Sequence, residues 1–334
     1  MATMKDVAAK AGVSVFTVSS VINNYPRISP STRDKVLKAI ESLSYVPNTV
    51  ARSLRTRRSG TIGVIVPFFT SANSRAFFGS VSEGIHDALR GHGYHLILSG
   101  ISHVPGEEHR ELENLVRKGI EGLIYAPVNC RNTVLESVNC PVVVIDRGLS
   151  GFKSDRVFNN NFESSFAAVD FLISKGRRRI AYIGRRSVFS NHRERFEGYK
   201  KALRINSIPF DERLVKSPPR ADIGGGGVAF GYSACDAVLS LHADTVFCNE
   251  SFGTIGVLKC ARERGVHIPD DLALITYDDL EWCELFDPPL TAIRQPSYEM
   301  GRLAAELLLE RIANPEAPPR KIIVKSTLIV REST

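Results

Sequence analysis

From residue 61 onward, short apolar runs alternate with longer stretches whose apolar residues recur at helical spacing, and this alternation restricts the chain more than any other feature. Consecutive parallel strands are joined by crossover helices, so the pattern predicts parallel β-sheets covered by helices. A first set of elements is expected as strand 61–66, helix 77–90, strand 95–98, helix 107–118 and strands 122–125 and 142–145. A second set follows as helix 164–174, strand 179–183, helix 192–206, strand 244–248, helix 254–264 and strand 272–276. Each set suffices for a sheet of its own. After Asp287-Pro-Pro-Leu, one more helix (297–312) and a final strand (322–330) are expected to return to the first lobe. With 334 residues and 43% hydrophobic content, the chain has enough apolar surface for more than one core.

The first 60 residues differ in kind. They hold ten basic residues (Lys5, Lys10, Arg27, Arg33, Lys35, Lys38, Arg52, Arg55, Arg57, Arg58) against three acids (Asp6, Asp34, Glu41), which is all of the chain's net +7. The remainder is balanced at 33 against 33. A basic module on a neutral body implies that a polyanion meets only the amino-terminal end. Within it, Val7, Ala8 and Ala11 share one helical face and Gly12 breaks the pattern. Ser14 can cap a second helix, whose stripe of Val15, Val18, Val21 and Ile22 ends at Asn23-Asn24 and Pro26. A third helix begins at Ser29 with Pro30 in its first turn, Val36, Leu37, Ile40 and Leu43 facing inward. Helix, glycine turn and helix make the helix-turn-helix arrangement, whose second helix fits the major groove of duplex DNA. Its exposed residues, expected to be Val15, Phe16, Ser19, Ser20 and Asn23, would then touch bases. Any small helical bundle shows similar spacing, and the pattern alone leaves both readings open.

The wording of the sequence is more specific than its periodicity. Met4-Lys-Asp-Val-Ala-Ala-Lys-Ala-Gly-Val-Ser-Val-Phe-Thr-Val-Ser resembles the opening of the lactose-repressor (LacI/GalR) family of bacterial transcriptional regulators, and Tyr45-Val-Pro-Asn-Thr-Val-Ala-Arg-Ser-Leu resembles that family's hinge segment. The resemblance continues through the whole chain. It implies a small all-α helix-turn-helix domain (1–46), a hinge helix and linker (47–60) and a two-lobed α/β periplasmic-binding-protein-like domain (61–334) with two parallel-sheet subdomains. The N-lobe would comprise about 61–158 and 292–322, the C-lobe about 159–291 and 323–334. By the same resemblance, Thr3, Ser14, Val15, Phe16, Thr17, Ser19, Ser20, Asn23, Arg27, Ser29 and Thr32 would contact DNA. In the hinge, Asn48, Ala51, Leu54 and Arg55 would join them, Leu54 matching a leucine inserted between base steps in the minor groove. One departure concerns specificity: the family pattern T-V-S-R-V reads Thr17-Val18-Ser19-Ser20-Val21 here. A serine cannot reproduce the bidentate arginine contact with guanine, so the base at that position does not carry over. Residues 48–54 are too few for a helix that stands alone, and without the resemblance they read as a flexible basic linker.

Ligands in such α/β folds sit beyond the carboxyl ends of strands, between lobes. There Arg195-Phe-Glu-Gly-Tyr resembles the family element R-x-x-G-[FYW], Cys248-Asn249-Glu250 the element x-N-D with glutamate for aspartate, and Tyr277-Asp278-Asp279 the element G-[FY]-D-D. The resemblance thus implies Arg195, Asn249 and Asp278 as effector contacts, with Phe77 and Phe78 as an aromatic pair and Asp146 and Asn191 as further candidates. Taken alone, Asp278 reads as a turn residue and Arg195 as a surface charge; their joint match makes a site of them. An arginine, an amide, a carboxylate and aromatic rings suit a polyhydroxylated effector such as a sugar or sugar derivative. The glycine run 224–227 reads as a loop to which no contact is assigned.

Two other readings compete. A nucleotide-dependent α/β enzyme would need G-x-G-x-x-G, G-K-[ST], G-x-S-x-G or H-E-x-x-H, and none occurs, so no cofactor and no catalytic residue is expected. A sugar-binding transport protein would need a secretory signal and no basic helical module, and the amino terminus shows the reverse. Six cysteines (Cys130, Cys140, Cys235, Cys248, Cys260, Cys283) form no C-x-x-C pair, which speaks against disulfides and metal. No apolar run approaches the roughly 18 residues of a membrane span, so a cytoplasmic protein is expected. The expected assembly is a homodimer on a near-palindromic operator, because two-fold protein matches two-fold DNA. The sequence ends at Thr334 just after its last expected strand, so no appended leucine heptads are expected to pair dimers into tetramers.

Overall fold

The computed structural model describes residues 2–23, 25–45, 59–68, 72–102, 104–128, 135, 138–149, 151–186, 189–218 and 227–334. The chain divides into two compact units, Met1–Ser59 and Gly60–Thr334.

Among the described residues the first unit holds three helices, α1 (Met4–Ala11), α2 (Val15–Ile22) and α3 (Pro30–Ser42). Each begins on a hydroxyl cap, because the first amides of a helix have no partner within it. Thr3 accepts from the Asp6 amide at 3.3 Å while Asp6 accepts from the Thr3 amide at 2.8 Å, a capping box. The Thr3 hydroxyl and amide hold the Asp6 carboxyl below the usual carboxylate range. Ser14 accepts from the Thr17 amide at 3.1 Å, and Ser29 from the Thr32 amide at 3.3 Å. Between α1 and α2, Gly12 adopts φ +64°, a left-handed turn that other residues take at a cost. Val7, Ala8, Val18, Val21, Val36, Ala39 and Tyr45 form the core. Leu37, expected inward, is exposed. The inward line of α3 runs through Val36 and Ala39, and Leu37 lies about 100° around the helix from Val36.

Among the described residues the second unit contains two six-stranded sheets. In the N-lobe, β1 (Thr61–Val66), β2 (His95–Gly100), β3 (Gly122–Tyr125), β4 (Val142–Ile145), β5 (Asp155–Asn159) and β11 (Lys321–Val324) lie in the order β11-β5-β4-β3-β1-β2, all pairings parallel. Helices α4 (Ala72–Leu89) and α10 (Ser297–Ala313) cover one face through Phe78, Val81, Ile85, Met300, Ala304 and Leu308. Helix α5 (Glu107–Arg117) covers the other through Leu112 and Leu115.

In the C-lobe, β6 (Ile180–Ile183), β7 (Val215–Lys216), β8 (Thr245–Cys248), β9 (Ala273–Tyr277), β10 (Thr291–Arg294) and β12 (Thr327–Ile329) lie in the order β12-β10-β9-β8-β6-β7. Helices α6 (Asn161–Ser174) and α7 (Ser190–Ile205) pack on one face, α8 (Gly227–Leu239) and α9 (Ser251–Arg264) on the other. The central strands of both sheets are buried along their length, which is why their sequences are continuously apolar rather than alternating.

Three details depart from the sequence expectation. The C-lobe sheet is not wholly parallel, since β12 runs antiparallel to β10. The expected final strand 322–330 is two strands in different lobes: β11 pairs with β5, and the chain crosses at Lys325-Ser326 before β12 pairs with β10. The chain crosses back to the N-lobe after Arg294 rather than at 292, because β10 completes the C-lobe sheet beside β9. Strands β5, β7 and β10 and helix α8 had no expectation at all. Strand β7 has only two residues, β5 and β10 carry the charged Asp155, Arg156 and Arg294 in place of a continuous apolar run, and α8 opens with glycine.

Candidate functional site

The candidate residues gather at the carboxyl ends of strands β4, β8 and β9 and on α7. Asn191 and Arg195 lie four residues apart on α7 and so share one face of it. Asp146 follows β4 and Asp278 follows β9, both in the left-handed region at φ +68° and φ +73°, which short polar side chains tolerate best. Each lobe thus turns an aspartate off the end of a central strand. Asn249 follows β8 and is buried.

Arg195 is the hub, 5% exposed. Its Nε donates to Asn161 Oδ1 at 2.9 Å, Nη1 to the Asn249 carbonyl at 3.3 Å and Nη2 to Gln295 Oε1 at 3.2 Å. The guanidinium lies 3.5 Å from the centre of the Tyr277 ring, a cation–π contact. Burial works against its charge, but Tyr277, Asp278 and Asp146 outweigh burial and hold it protonated. Gln295 passes the network on, donating to Asp278 Oδ1 and accepting from Asn159 Nδ2 at 2.5 Å. Across the lobes, Asn191 Nδ2 donates to both Asp146 oxygens at 3.2 Å and Ser190 Oγ accepts from the Gly148 amide at 3.0 Å. Arg147 pairs with Asp146 at 2.9 Å and stacks over Phe189 at 4.6 Å, and Arg185 pairs with Glu250 at 3.1 Å.

Burial pushes the Asp278 carboxyl up, against the opposing pull of Arg195 and Gln295, and pushes Glu250 up likewise against Arg185. His192 is driven well below its ordinary value of 6.5 by burial and then by the charges of Arg195, Arg147 and Arg185. The unfolded chain takes up a proton near pH 6.5 that the folded chain refuses, so His192 costs no stability above that pH and costs progressively more below it. A His192→Gln variant should therefore lose less melting temperature than the parent between pH 7 and pH 5. Equal losses in a calorimetric pH series would contradict this.

Of the residues expected from sequence, Arg195, Asn249 and Asp278 thus share one hydrogen-bond network, while Asp146 and Asn191 form a neighbouring pair whose Asp146 acts on Arg195 through its charge. Phe78 does not join it: its side chain is buried in the N-lobe core, edge-on to half-buried Phe77 at 4.9 Å. Its place on α4 points at the sheet, and packing takes up the ring. Tyr277, Asn161, Gln295, Arg147 and Arg185 were not expected. Tyr277 and Arg147 each adjoin a residue that was, so adjacency at a strand end was the available signal. Gln295 follows a strand that the sequence did not reveal.

On the first unit, Thr3, Ser14, Val15, Phe16, Arg27 and Ser29 are exposed, and Thr17, Ser19, Asn23 and Thr32 are half-buried. Ser20, expected to be exposed, is buried. The Tyr25 amide donates to the Ser20 carbonyl at 3.0 Å, folding the following chain back against this position. Asn48, Ala51, Leu54 and Arg55 lie outside the described residues, as do glycines 224–226. Among the described residues there is no cluster of three metal-ligating side chains, and no helix is long and apolar enough to cross a membrane.

Residues 3–48 match the sequence pattern of bacterial regulatory proteins of the lacI family, and residues 169–334 that of a periplasmic binding protein-like domain. The chain is 32% identical over 335 residues to the ribose operon repressor of Haemophilus influenzae, covering 100% of this chain and 98% of that one. It is 31% identical over 339 residues to the HTH-type transcriptional repressor PurR of Vibrio atlanticus, with the same coverage. Among solved structures, a transcriptional regulator CelR–cellobiose complex superposes with TM-score 0.73 at 30% identity, each chain fully covered. A Lac repressor dimer bound to operator and an anti-inducer superposes with TM-score 0.85 at 22% identity, covering 99% of this chain and 98% of that one, a likeness of fold.

Proposed function

Because the chain belongs to the lacI family of bacterial regulatory proteins and is thus a DNA-binding transcriptional regulator under small-molecule control rather than an enzyme, we propose that a sugar or sugar derivative held by the Arg195 network sets its grip on operator DNA. The observation that carries the sugar is the chemistry of the cleft. Arg195 spends its hydrogen bonds on neutral acceptors over a tyrosine face, and Asp146, Asp278, Asn191 and Asn249 surround it with acceptors and donors. A polyol matches such a set, since each hydroxyl both donates and accepts while C–H faces stack on rings.

In this reading Phe77, Asp146, Asn191, Arg195, Asn249 and Asp278 face the effector. Residues 1–46 read the DNA and 47–60 form the hinge. The protein acts as a cytoplasmic homodimer on a near-palindromic operator. Because Asp146 and Asn191 come from different lobes, an effector that displaces their hydrogen bonds favours a different lobe arrangement. Coupling of this kind between two sites is worth about 1–3 kcal/mol.

A thermal-shift series with D-ribose, cellobiose, sugar phosphates and purines tests the proposal. A compound at a hundred times its Kd adds about 2.7 kcal/mol of stability, several degrees of melting temperature for a unit this size. The sugar reading fails if purines raise the melting temperature and no carbohydrate does.

A further inference from the structure

The sequence assigns α2 a mixed set of base-reading groups, and the structure removes most of the polar ones. Ser20 is 3% exposed. Ser19 and Asn23 are half-buried and pair with each other: Asn23 Nδ2 donates to the Ser19 carbonyl at 2.7 Å and to Ser19 Oγ at 3.3 Å, which takes up the amide's donor side. Ser14 and Thr17 share a hydroxyl hydrogen bond of 2.9 Å while Ser14 caps the helix. What α2 presents to solvent is Phe16, 79% exposed, with Val15 beside it at 41%. Its sequence, Val-Phe-Thr-Val-Ser-Ser-Val-Ile, contains none of the Arg, Lys, Asn or Gln side chains that read guanine or adenine through paired hydrogen bonds. It contains no acid either, and it sits in the part of the chain that carries the whole positive charge, so a polyanion can approach this apolar tip.

We infer that α2 recognises its half-site through thymine methyl groups, against which Phe16 and Val15 pack in the major groove; the inference rests on the DNA-binding function above and names the chemistry of its partner. The C5 methyl of thymine is the one apolar group that a base pair displays in that groove. Phosphate contacts from the basic module supply affinity without discrimination, which leaves the choice of sequence at α2 to apolar contact. Sites with cytosine at the contacted position lack the methyl and are rejected.

Duplexes retained by the intact protein are to be selected from a random pool, and each thymine of the enriched half-site then replaced by uracil, which deletes only the methyl. At one or two adjacent positions uracil should raise Kd about fourfold per methyl, and about fifteenfold when both half-sites carry it. In the Phe16→Ala variant that penalty should fall below twofold, with an unchanged melting temperature because the ring is exposed in the free protein. A fully paired 5-methylcytosine in place of cytosine there should recover part of the lost affinity. Enrichment without any uracil effect, or an undiminished effect in Phe16→Ala, overturns the inference and leaves the DNA-binding function standing. Failure to enrich any sequence overturns both.

Discussion

An Arg195→Ala variant should bind the effector at least about a hundredfold more weakly and melt about 4–8 °C lower than the parent. Removing the guanidinium takes a donor from Asn161 Oδ1, Gln295 Oε1 and the Asn249 carbonyl and uncovers the Tyr277 ring; Asn161 Oδ1 keeps the Tyr277 hydroxyl and Gln295 Oε1 keeps Asn159 Nδ2, so the loss falls mainly on the buried Asn249 carbonyl. Breaking a buried ion pair costs about 3–5 kcal/mol because it leaves a charge alone. Arg195 gives its hydrogen bonds to neutral groups, so the cost is the smaller one of an unsatisfied buried acceptor and weakened neighbours, about 2 kcal/mol, partly offset by the desolvation its charge no longer suffers. At about 2–4 °C per kcal/mol this gives the stated shift. Binding suffers more, since a ligand hydroxyl would lose its charged donor where water is excluded. The checks are a melting curve and a titration with whichever compound stabilises the parent. An unchanged melting temperature would show that the network contributes nothing to folding.

A larger loss of stability is expected from one methyl group at Gly256. Helices α8 and α9 touch backbone to backbone: a Cβ at Gly256 would lie 2.1 Å from the Val228 carbonyl oxygen and 2.5 Å from the Tyr232 nitrogen. Gly231 meets Gly253 from the other side with a Cβ-to-oxygen distance of 2.1 Å. Neither neighbour is a flexible side chain, so Gly256→Ala must force the helices apart and loosen the core around Cys235, Val238, Val257 and Cys260. Overpacking of this kind costs about 3 kcal/mol or more. Gly79, inside α4, is the control, because a Cβ there meets nothing within 4 Å. Gly79→Ala should stabilise by about 0.5–1 kcal/mol through helix propensity and a less flexible unfolded chain. Urea denaturation of the two variants should therefore move in opposite directions. Movement in the same direction would mean that the close approach of α8 and α9 is not what requires Gly256.

Gly84 and Gly301 make the same arrangement in the N-lobe, where Cβ atoms would lie 2.0 Å from the Tyr298 and Val81 carbonyl oxygens. Gly198 meets the Phe162 carbonyl on α6. A glycine inside a helical stretch signals a packing reason, but nothing in the sequence says which helix presses on it.

The order of apolar runs by itself determined that the body is α/β with two sheets, because a strand buried on both faces must be continuously apolar. Capping hydroxyls at Thr3, Ser14 and Ser29 and the left-handed Gly12 likewise follow from local chemistry, which acts over four residues and needs no distant partner. The family wording at Arg195, Asn249 and Asp278 is also a matter of sequence alone. Only tertiary structure decided what these residues touch. Gln295, Asn161 and Tyr277 join Arg195 from segments that are 34 to 100 residues away from it along the chain, as in the bonds to Asn161 and Gln295. Tertiary packing also turned Phe78 into core, split the last strand between two lobes and covered Ser20. Each of these outcomes depends on which surface arrives from elsewhere in the chain, and a local pattern carries no record of that.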